Sequence, residues 1–299
     1  MRFFSPALGK DRRFLVYEPP GYAKAAARDH RFPVLYLLHG APGSARQFIN
    51  VAAAGVALDK GLKNHTLRPF LLVMLDGSDG TFRKDTEWAN TPHGQYETSV
   101  LETVRFIDQH FATRRNRTGR AIAGVSEGAY AALNLSLRHP ATFSIAEAWS
   151  GYAQQVRLGP FAGAPDSVIA ANSPAVYAPQ LGPALRRYPM HVYAFSGTHE
   201  KVAPRMQAFA LELAAIGADV RFSIFHGGHD WALWRQETPR MLRYADIWFR
   251  RGGHAVRPAG PAARAARIAR IARIKTARHH RRHGPRAHLR HVHRIGTGR

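Results

Sequence analysis

Apolar runs of strand length alternate along the chain with segments in which apolar residues recur at helical spacing. The runs are continuous, which is typical of strands buried on both faces of a sheet, and they occupy residues 31–40, 70–77, 121–125, 143–151, 190–197 and 220–228. Helical spacing occurs at residues 45–62, 99–111, 127–139, 205–217 and 230–251. The alternation predicts an α/β fold with a mostly parallel central sheet and helices on both faces.

Three features interrupt this rhythm. Gly217 is the expected stop of the fourth helix, and Pro239 predicts a bend or break in the last one. Residues 152–189 are rich in Pro, Gly and Ala, and we expect them to form loops and short helices over one end of the sheet.

A change of composition near residue 250 predicts two parts, a globular domain at 1–250 and a polybasic tail at 251–299. The tail holds 14 of the 43 basic residues of the chain and none of its 20 acidic residues. Arginines recur at 264, 267, 270 and 273 with isoleucines between them, which predicts a helix, and the pattern beyond residue 278 is typical of disorder. The tail could bind an anionic membrane surface, bind nucleic acid non-specifically, or be a solvated extension without function. The interleaved isoleucines favour the membrane.

The bulk composition restricts the chemistry. The 299-residue chain has no cysteine, which excludes disulfides, thiolate catalysis and cysteine-ligated zinc. It shows neither an apolar run of membrane-spanning length nor a signal-peptide pattern. We therefore expect a cytoplasmic protein, with attachment to the periphery of a membrane as the alternative.

Polar residues that carry catalytic chemistry follow three of the predicted strands. Ser126 follows 121–125, Glu200 follows 190–197, and His229 follows 220–228. The carboxyl ends of parallel strands meet at one edge of a sheet, which is where ligands and catalytic groups gather. The sequence therefore predicts that a serine, an acid and a histidine come together there.

These residue types suit nucleophilic catalysis. A serine hydroxyl needs a base to take its proton, histidine can do so near neutral pH, and a carboxylate orients and stabilises the imidazole. The oxyanion would be held by backbone N–H groups of Glu127, which follows the nucleophile, and of Ala41, in the loop after an early strand. Gly124 and Gly128 let the chain turn sharply around the serine.

Simpler interpretations exist for several of these residues. The serine could occupy a plain turn and the histidine a solvated loop. Asp219 is a rival for the acid, but it precedes the last strand and so belongs to the opposite edge. His226 and His229 have H-x-x-H spacing next to Asp230, yet no further ligand cluster supports a metal site, and we predict none. His39 is expected to be structural.

The motifs "VLYLLHG", "YETSVLETVRFIDQHF", "AGVSEGAYAALNLSLRHP", "GTHE" and "GGHDWALW" occur in one order. This pattern resembles the α/β-hydrolase fold, and within it the esterase family that includes feruloyl esterases, S-formylglutathione hydrolase, enterochelin esterase and the antigen 85 mycolyltransferases. The resemblance covers about residues 5–250. It implies Ser126 as nucleophile, Glu200 as acid and His229 as base.

The resemblance also directs attention to residues around the site. It places Trp88 and Asn90 in a loop near the pocket mouth, and we count both, with Trp231, as candidate pocket residues. The chain departs from the family in having Glu200 where many members have Asp, and in having Glu127 where an uncharged residue is usual. We expect the Glu127 side chain to point outward and pair with a basic group.

The sequence thus predicts a serine carboxylic-ester hydrolase that works through a Ser-His-Glu triad and an acyl-enzyme, without a cofactor, on a small-molecule or lipid-like ester. An acyltransferase with the same triad is one alternative. A catalytically inactive hydrolase domain that serves as a binding module, tethered by its basic tail, is another.

Overall fold

A computed structural model describes residues 1–78, 85–252 and 260–275. Its main sheet has eight strands in the order β1-β2-β4-β3-β7-β8-β9-β10. The strands are β1 (Arg2–Ser5), β2 (Lys10–Tyr17), β3 (Val34–Leu38), β4 (Leu71–Leu75), β7 (Arg120–Val125), β8 (Ile145–Trp149), β9 (His191–Gly197) and β10 (Asp219–Phe225). The two-residue strands β5 (Asn90–Thr91) and β6 (Gly94–Gln95) form a separate small ribbon.

Strands β3, β4 and β7 to β10 pair in parallel, and each corresponds to a predicted apolar run. The predicted α/β architecture is therefore confirmed. The antiparallel pair β1 and β2 was not predicted. Strand β2 begins with four charged residues, and its apolar residues are confined to its second half, so it lacks a continuous apolar run.

Helices cover both faces of the sheet. The α-helices are α1 (Tyr22–Ala26), α2 (Arg46–Asn50), α3 (Ala54–Lys63), α4 (Tyr96–His110), α5 (Glu127–Arg138), α6 (Asp166–Ala171), α7 (Pro174–Tyr177), α8 (Gly182–Arg187), α9 (Ala203–Ile216), α10 (Trp231–Arg251) and α11 (Pro261–Ala272). Helices α2, α3 and α10 pack on one face, and α4, α5 and α9 on the other. The short helices α6 to α8 lie within 152–189, as predicted. Among the described residues, no helix has the length and apolar character needed to cross a membrane.

The predicted break at Pro239 is wrong, because α10 runs through this residue without interruption. A proline removes the hydrogen bond to the carbonyl four residues earlier. Pro239 and Arg235, which carries that carbonyl, are both exposed, so water can take the place of the missing donor. Gly217 does end α9, in the left-handed conformation with φ 120°.

Helix α11 changes the interpretation of the tail. Ile271 is buried against the body, and Ile268 and Ile274 are partly buried beside it. The Gln207 side-chain amide donates to the carbonyls of Ile271 and Ile274 at 2.7 and 2.9 Å, and Arg267 pairs with Asp219. The division predicted at residue 250 therefore separates segments that pack together.

The isoleucines that favoured a membrane partner face the protein, so the sequence-based reason for preferring a membrane is wrong. The remaining part of the tail prediction falls on residues 276–299, which lie outside the described residues.

Candidate active site

Ser126 stands in a strained turn between β7 and α5. Its backbone has φ 57° and ψ −117°, a region that side-chain-bearing residues rarely adopt. A Cβ at Gly128 would lie 2.0 Å from the Leu38 carbonyl oxygen, and one at Gly124 would lie 2.2 Å from the Gly128 carbonyl oxygen. The two glycines therefore let α5 press against the end of β3, and this packing holds the serine in its turn.

The three residues predicted for the triad converge at the carboxyl edge of the sheet. His229 Nε2 lies 2.8 Å from Ser126 Oγ, and His229 Nδ1 lies 3.6 Å from Glu200 Oε2. The histidine side chain is 47% exposed, whereas the Glu200 side chain is 2% exposed. The second distance is longer than a hydrogen bond, so His229 and Glu200 are close neighbours without a direct hydrogen bond.

Glu200 is held from behind by two hydrogen-bond donors. Its Oε1 accepts from the Ser150 hydroxyl at 2.5 Å and from the Gly197 backbone N–H at 2.8 Å. Its Oε2 is buried and has no hydrogen-bond partner among the described residues. The oxygen nearest the histidine is therefore the one left free to accept from it.

Ser150 was missed by the sequence analysis, although it directly follows strand β8 at the same edge. The Trp234 indole N–H donates to the Ser150 hydroxyl at 2.8 Å. Because an indole nitrogen can only donate, the serine proton must point toward Glu200. Trp234 also places its ring edge-on to His229, with centroids 5.1 Å apart. Through these contacts Ser150 and Trp234 help to fix the orientation of Glu200 and His229.

We expect Ser150→Ala to lower kcat about tenfold, the size expected for one hydrogen bond to a charged group. The carboxylate would keep only the Gly197 donor and would hold the imidazole less firmly. Steady-state kinetics should show the loss in kcat with little change in KM. Ser167→Ala, an exposed serine on α6, is the matched control. Equal kinetics for the two variants would show that Ser150 does not position the acid.

The loop after β3 passes beside Ser126. A Cβ at Gly40 would lie 2.9 Å from the Ser126 Cβ, so only glycine allows this approach, and Ala41 follows at once. His39 is buried, with Nδ1 2.9 Å from the Gly40 carbonyl and Nε2 accepting from the Gly77 N–H at 2.9 Å. The structural role predicted for His39 is confirmed, and the loop carrying the Ala41 amide is anchored.

The three candidate pocket residues have different environments. Trp88 is buried, 3% exposed, and its indole N–H donates to the His39 carbonyl at 3.1 Å, so it supports the loop from beneath. The Asn90 amide is engaged at both ends by Thr98 of α4, at 2.9 and 3.1 Å. Trp88 therefore packs beneath the loop, and the pocket role of half-buried Asn90 stays a prediction. Trp231 is half-buried and stands edge-on to Trp234, and it remains a candidate.

The prediction for the Glu127 side chain is wrong. It is 5% exposed and lies against two other carboxyl groups, those of Asp85 and Glu87, rather than against a base. One carboxylate oxygen from each of the three lies within 4.8 Å of the others. Tyr152 donates to Glu87 at 2.5 and 2.6 Å, and the Gln155 amide donates to it at 2.8 Å. The residue that follows Ser126 is therefore part of a cluster of three carboxyl groups.

Three carboxyl groups this close cannot all be ionised without strong repulsion. Burial and the neighbouring Asp85 charge raise the pKa of Glu87 to about 7. Burial, with the charges of Asp85 and Glu87, raises the pKa of Glu127 well above its usual range. Near neutral pH, Glu127 is therefore expected to be protonated, with its hydroxyl donating to Asp85. This would remove the conflict between its charge and the oxyanion. The same oxygens have the spacing of metal ligands, which the sequence analysis did not anticipate.

We expect Glu127→Gln to make stability less dependent on pH. A carboxyl group whose pKa is raised in the folded state stabilises the fold fully below its unfolded pKa and loses that contribution as pH rises through the folded pKa. For this cluster the loss begins near pH 4.5 and continues past about pH 7. The glutamine mimics the protonated acid. The free energy of unfolding of the variant should equal that of the parent protein at pH 5 and exceed it by about 1–3 kcal/mol at pH 8.5.

Urea unfolding of both proteins at the two pH values measures this difference. Glu102→Gln is the control, because Glu102 accepts from Ser5 and Ala7 far from the cluster. If the unfolding free energies of Glu127→Gln and the parent protein differed by the same amount at both pH values, the expected ionisation of the cluster would be contradicted.

The sheet order, the serine turn and the residues gathered at the strand ends define an α/β-hydrolase. The family model described as "Putative esterase" matches residues 5–245, so the chain belongs to this esterase family.

Relatives of known name agree with this placement. The endo-1,4-beta-xylanase/feruloyl esterase of Xylanibacter ruminicola is 30% identical over 142 residues. The aligned segment covers 47% of this chain and 20% of that protein. The esterase Rv1288 of Mycobacterium tuberculosis is 28% identical over 152 residues, which cover 50% of this chain and 31% of that protein. The chain thus matches about a fifth to a third of the length of these curated relatives.

Solved structures share the fold. A ferulic acid esterase superposes with a TM-score of 0.73 at 22% identity, covering 83% of this chain and 96% of that one. The S-formylglutathione hydrolase FrmB of Staphylococcus aureus gives a TM-score of 0.65 at 17% identity, with coverage of 82% and 96%.

Proposed function

We propose that the protein is a serine carboxylic-ester hydrolase in which Ser126, His229 and Glu200 form the triad. The observation that carries the proposal is the 2.8 Å contact between Ser126 Oγ and His229 Nε2 at a strained turn. The serine is hydrogen-bonded to a histidine, and a buried carboxylate lies behind that histidine. This arrangement activates a hydroxyl for attack on an acyl carbon.

Each residue has a definite part in this mechanism. Ser126 Oγ attacks the ester carbonyl while His229 Nε2 takes its proton, and Glu200 stabilises the imidazolium. The backbone N–H groups of Ala41 and Glu127 hold the oxyanion. His229 then gives the proton to the departing alcohol and an acyl-enzyme is left. Water, deprotonated by His229, attacks the acyl carbon, and the carboxylic acid leaves as Ser126 regains its proton.

The proposed substrate is a small-molecule or lipid-like ester. The names of two relatives, a feruloyl esterase and a ferulic acid esterase, make aromatic acyl esters the first class to test. Half-buried Trp231 lies edge-on to Trp234, which in turn lies edge-on to His229, and it offers aromatic surface for such a group. None of the proposed steps calls for a cofactor.

A fluorophosphonate probe and an alcohol acceptor together test the proposal. We expect one label per chain, at Ser126, by peptide mass spectrometry. p-Nitrophenyl acetate should yield acetate even when ethanol is added. Ethyl acetate as the main product would indicate an acyltransferase. A chain with neither label nor turnover would indicate the inactive binding module.

For the tail, we propose binding to phosphate-bearing anionic surfaces through residues 276–299, because α11 is engaged by the body and these residues carry charge without any acidic group. Truncation after Lys275 should leave ester hydrolysis unchanged. It should also greatly reduce co-sedimentation with anionic vesicles or gel-shift of DNA at low salt, and the two arms distinguish the partners. If the full chain bound neither, the tail would be a solvated extension.

Truncation after Gly252 should behave differently, because it also removes α11. Exposing the surface that Ile271 covers should cost roughly 2–4 kcal/mol of unfolding free energy. Equal stability of the two truncated forms, measured by urea unfolding, would contradict the packing of α11.

A further inference from the structure

A second concave site lies at the opposite end of the sheet from Ser126. Strands β9 and β10 begin side by side at His191 and Asp219, and the catalytic acid and base follow their other ends. Around their amino ends, helices α8, α9, α10 and α11 enclose a cleft of about 700 Å³. This volume is within the range of small-molecule sites.

The inner surface of this cleft is mainly apolar. Leu185, Met190 and Trp248 form its base, and Ile216 and Pro189 are half-buried at its side. The Trp248 ring is fixed by stacking on His191, with centroids 3.4 Å apart. The Arg251 guanidinium also lies over this ring, 4.9 Å from its centroid. The apolar surface open to a ligand is therefore mainly that of half-buried Ile216 and Pro189.

Four arginines surround the same cleft, namely Arg186, Arg251, Arg264 and Arg267. Arg267 is neutralised by Asp219. The other three have no carboxylate within salt-bridge distance among the described residues, although Arg264 donates to the Ala214 carbonyl at 3.0 Å. Within the part of the chain that the structure describes, the cleft thus carries three positive charges that are not paired with an acidic side chain.

We propose that this cleft binds a small organic anion, with a carboxylate or phosphate head and an apolar body. Arginine presents parallel N–H groups that match the oxygens of such a head, and Arg186, Arg251 and Arg264 supply them at the rim. The apolar body would lie over Ile216 and Pro189. The inference stands apart from the proposed esterase activity, since it uses none of the catalytic residues.

Arg186 and Arg251 also lie at helix C-termini, where a positive charge offsets the partial negative charge of the helix end. That role alone predicts a change in stability without any ligand. Binding therefore has to be measured directly, with a charged probe and its neutral counterpart.

The experiment is isothermal titration of the full chain with 4-phenylbutyrate, 4-phenylbutanol and inorganic phosphate. We expect saturable binding of 4-phenylbutyrate and much weaker binding of the other two, because each lacks either the charge or the apolar body. The double variant Arg186→Gln/Arg251→Gln should bind 4-phenylbutyrate with an affinity at least about tenfold lower. Arg105→Gln/Arg115→Gln, two exposed arginines outside the cleft, removes the same charge elsewhere and should leave the affinity unchanged.

Several results would overturn the proposal. One is that 4-phenylbutyrate does not bind. Another is that 4-phenylbutanol or inorganic phosphate binds as tightly as 4-phenylbutyrate does. A third is that the two double variants lose the same affinity for 4-phenylbutyrate. Circular dichroism of both double variants reports whether they are folded. Failure of the esterase proposal would leave the titration interpretable, because the titration does not depend on turnover.

Discussion

Ser126→Ala should reduce hydrolysis of p-nitrophenyl esters by roughly 10³-fold or more, the loss expected when a nucleophile is removed from a triad. The alanine keeps the turn and the backbone N–H groups, but no atom remains to form the acyl-enzyme. A small residual rate above the uncatalysed reaction is expected from the oxyanion donors. Initial rates with a short ester, at saturating and at low substrate, measure the loss.

Fluorophosphonate labelling should disappear in the same variant. Ser167→Ala, on exposed α6, should keep both activity and label. Circular dichroism separates loss of chemistry from loss of fold. Near-normal turnover in folded Ser126→Ala would contradict the assignment of the nucleophile.

The convergence of the three proposed triad residues was predictable, because backbone geometry dictates where they lie. Ser126, Glu200 and His229 each follow a strand whose apolar run is visible in the sequence, and parallel strands bring their ends to one edge. The role of Gly124 and Gly128 was predictable from backbone geometry as well, because two backbones that approach this closely leave no room for a side chain. Ser150 also follows a strand, but the predicted run at 143–151 extended past the observed end of β8 at Trp149, so the same rule did not point to it.

The surroundings of Glu127 were not predictable. Its partners Asp85 and Glu87 come from a loop some 40 residues earlier, and no periodic pattern fixes how that loop folds back. Pairing with a base was the reasonable expectation for a lone carboxylate. A raised pKa in a shared cluster is an alternative that depends on tertiary contact.

The isoleucines of α11 pose the same problem. Their spacing identifies an apolar stripe but not the surface that covers it, and a stripe on Ile268, Ile271 and Ile274 suits a lipid bilayer as well as a protein face. Only the packing against α9 and β10 distinguishes the two.

Glu200→Gln should lower kcat by about 10³–10⁴-fold, the size known for replacing a triad acid by its amide. The surroundings of Glu200 fix the orientation of the new amide. Its oxygen must take the Oε1 position, since the Ser150 hydroxyl and the Gly197 N–H both donate there. The NH₂ group then faces His229 Nδ1 and donates to it, so the imidazole proton moves to Nε2. A histidine with its proton on Nε2 cannot accept the proton of Ser126.

The rival acid gives the decisive comparison. Asp219 lies at the far end of β10, where it pairs with Arg267 and lies 3.3 Å from His191 Nδ1. Asp219→Asn should therefore cost some stability but leave kcat nearly unchanged. Steady-state kinetics on the two amide variants, with urea unfolding of each, tests the assignment. A large loss of kcat in folded Asp219→Asn together with an active Glu200→Gln would contradict it. The expected pattern would establish that the buried carboxylate behind His229 keeps the imidazole in the tautomer that Ser126 needs.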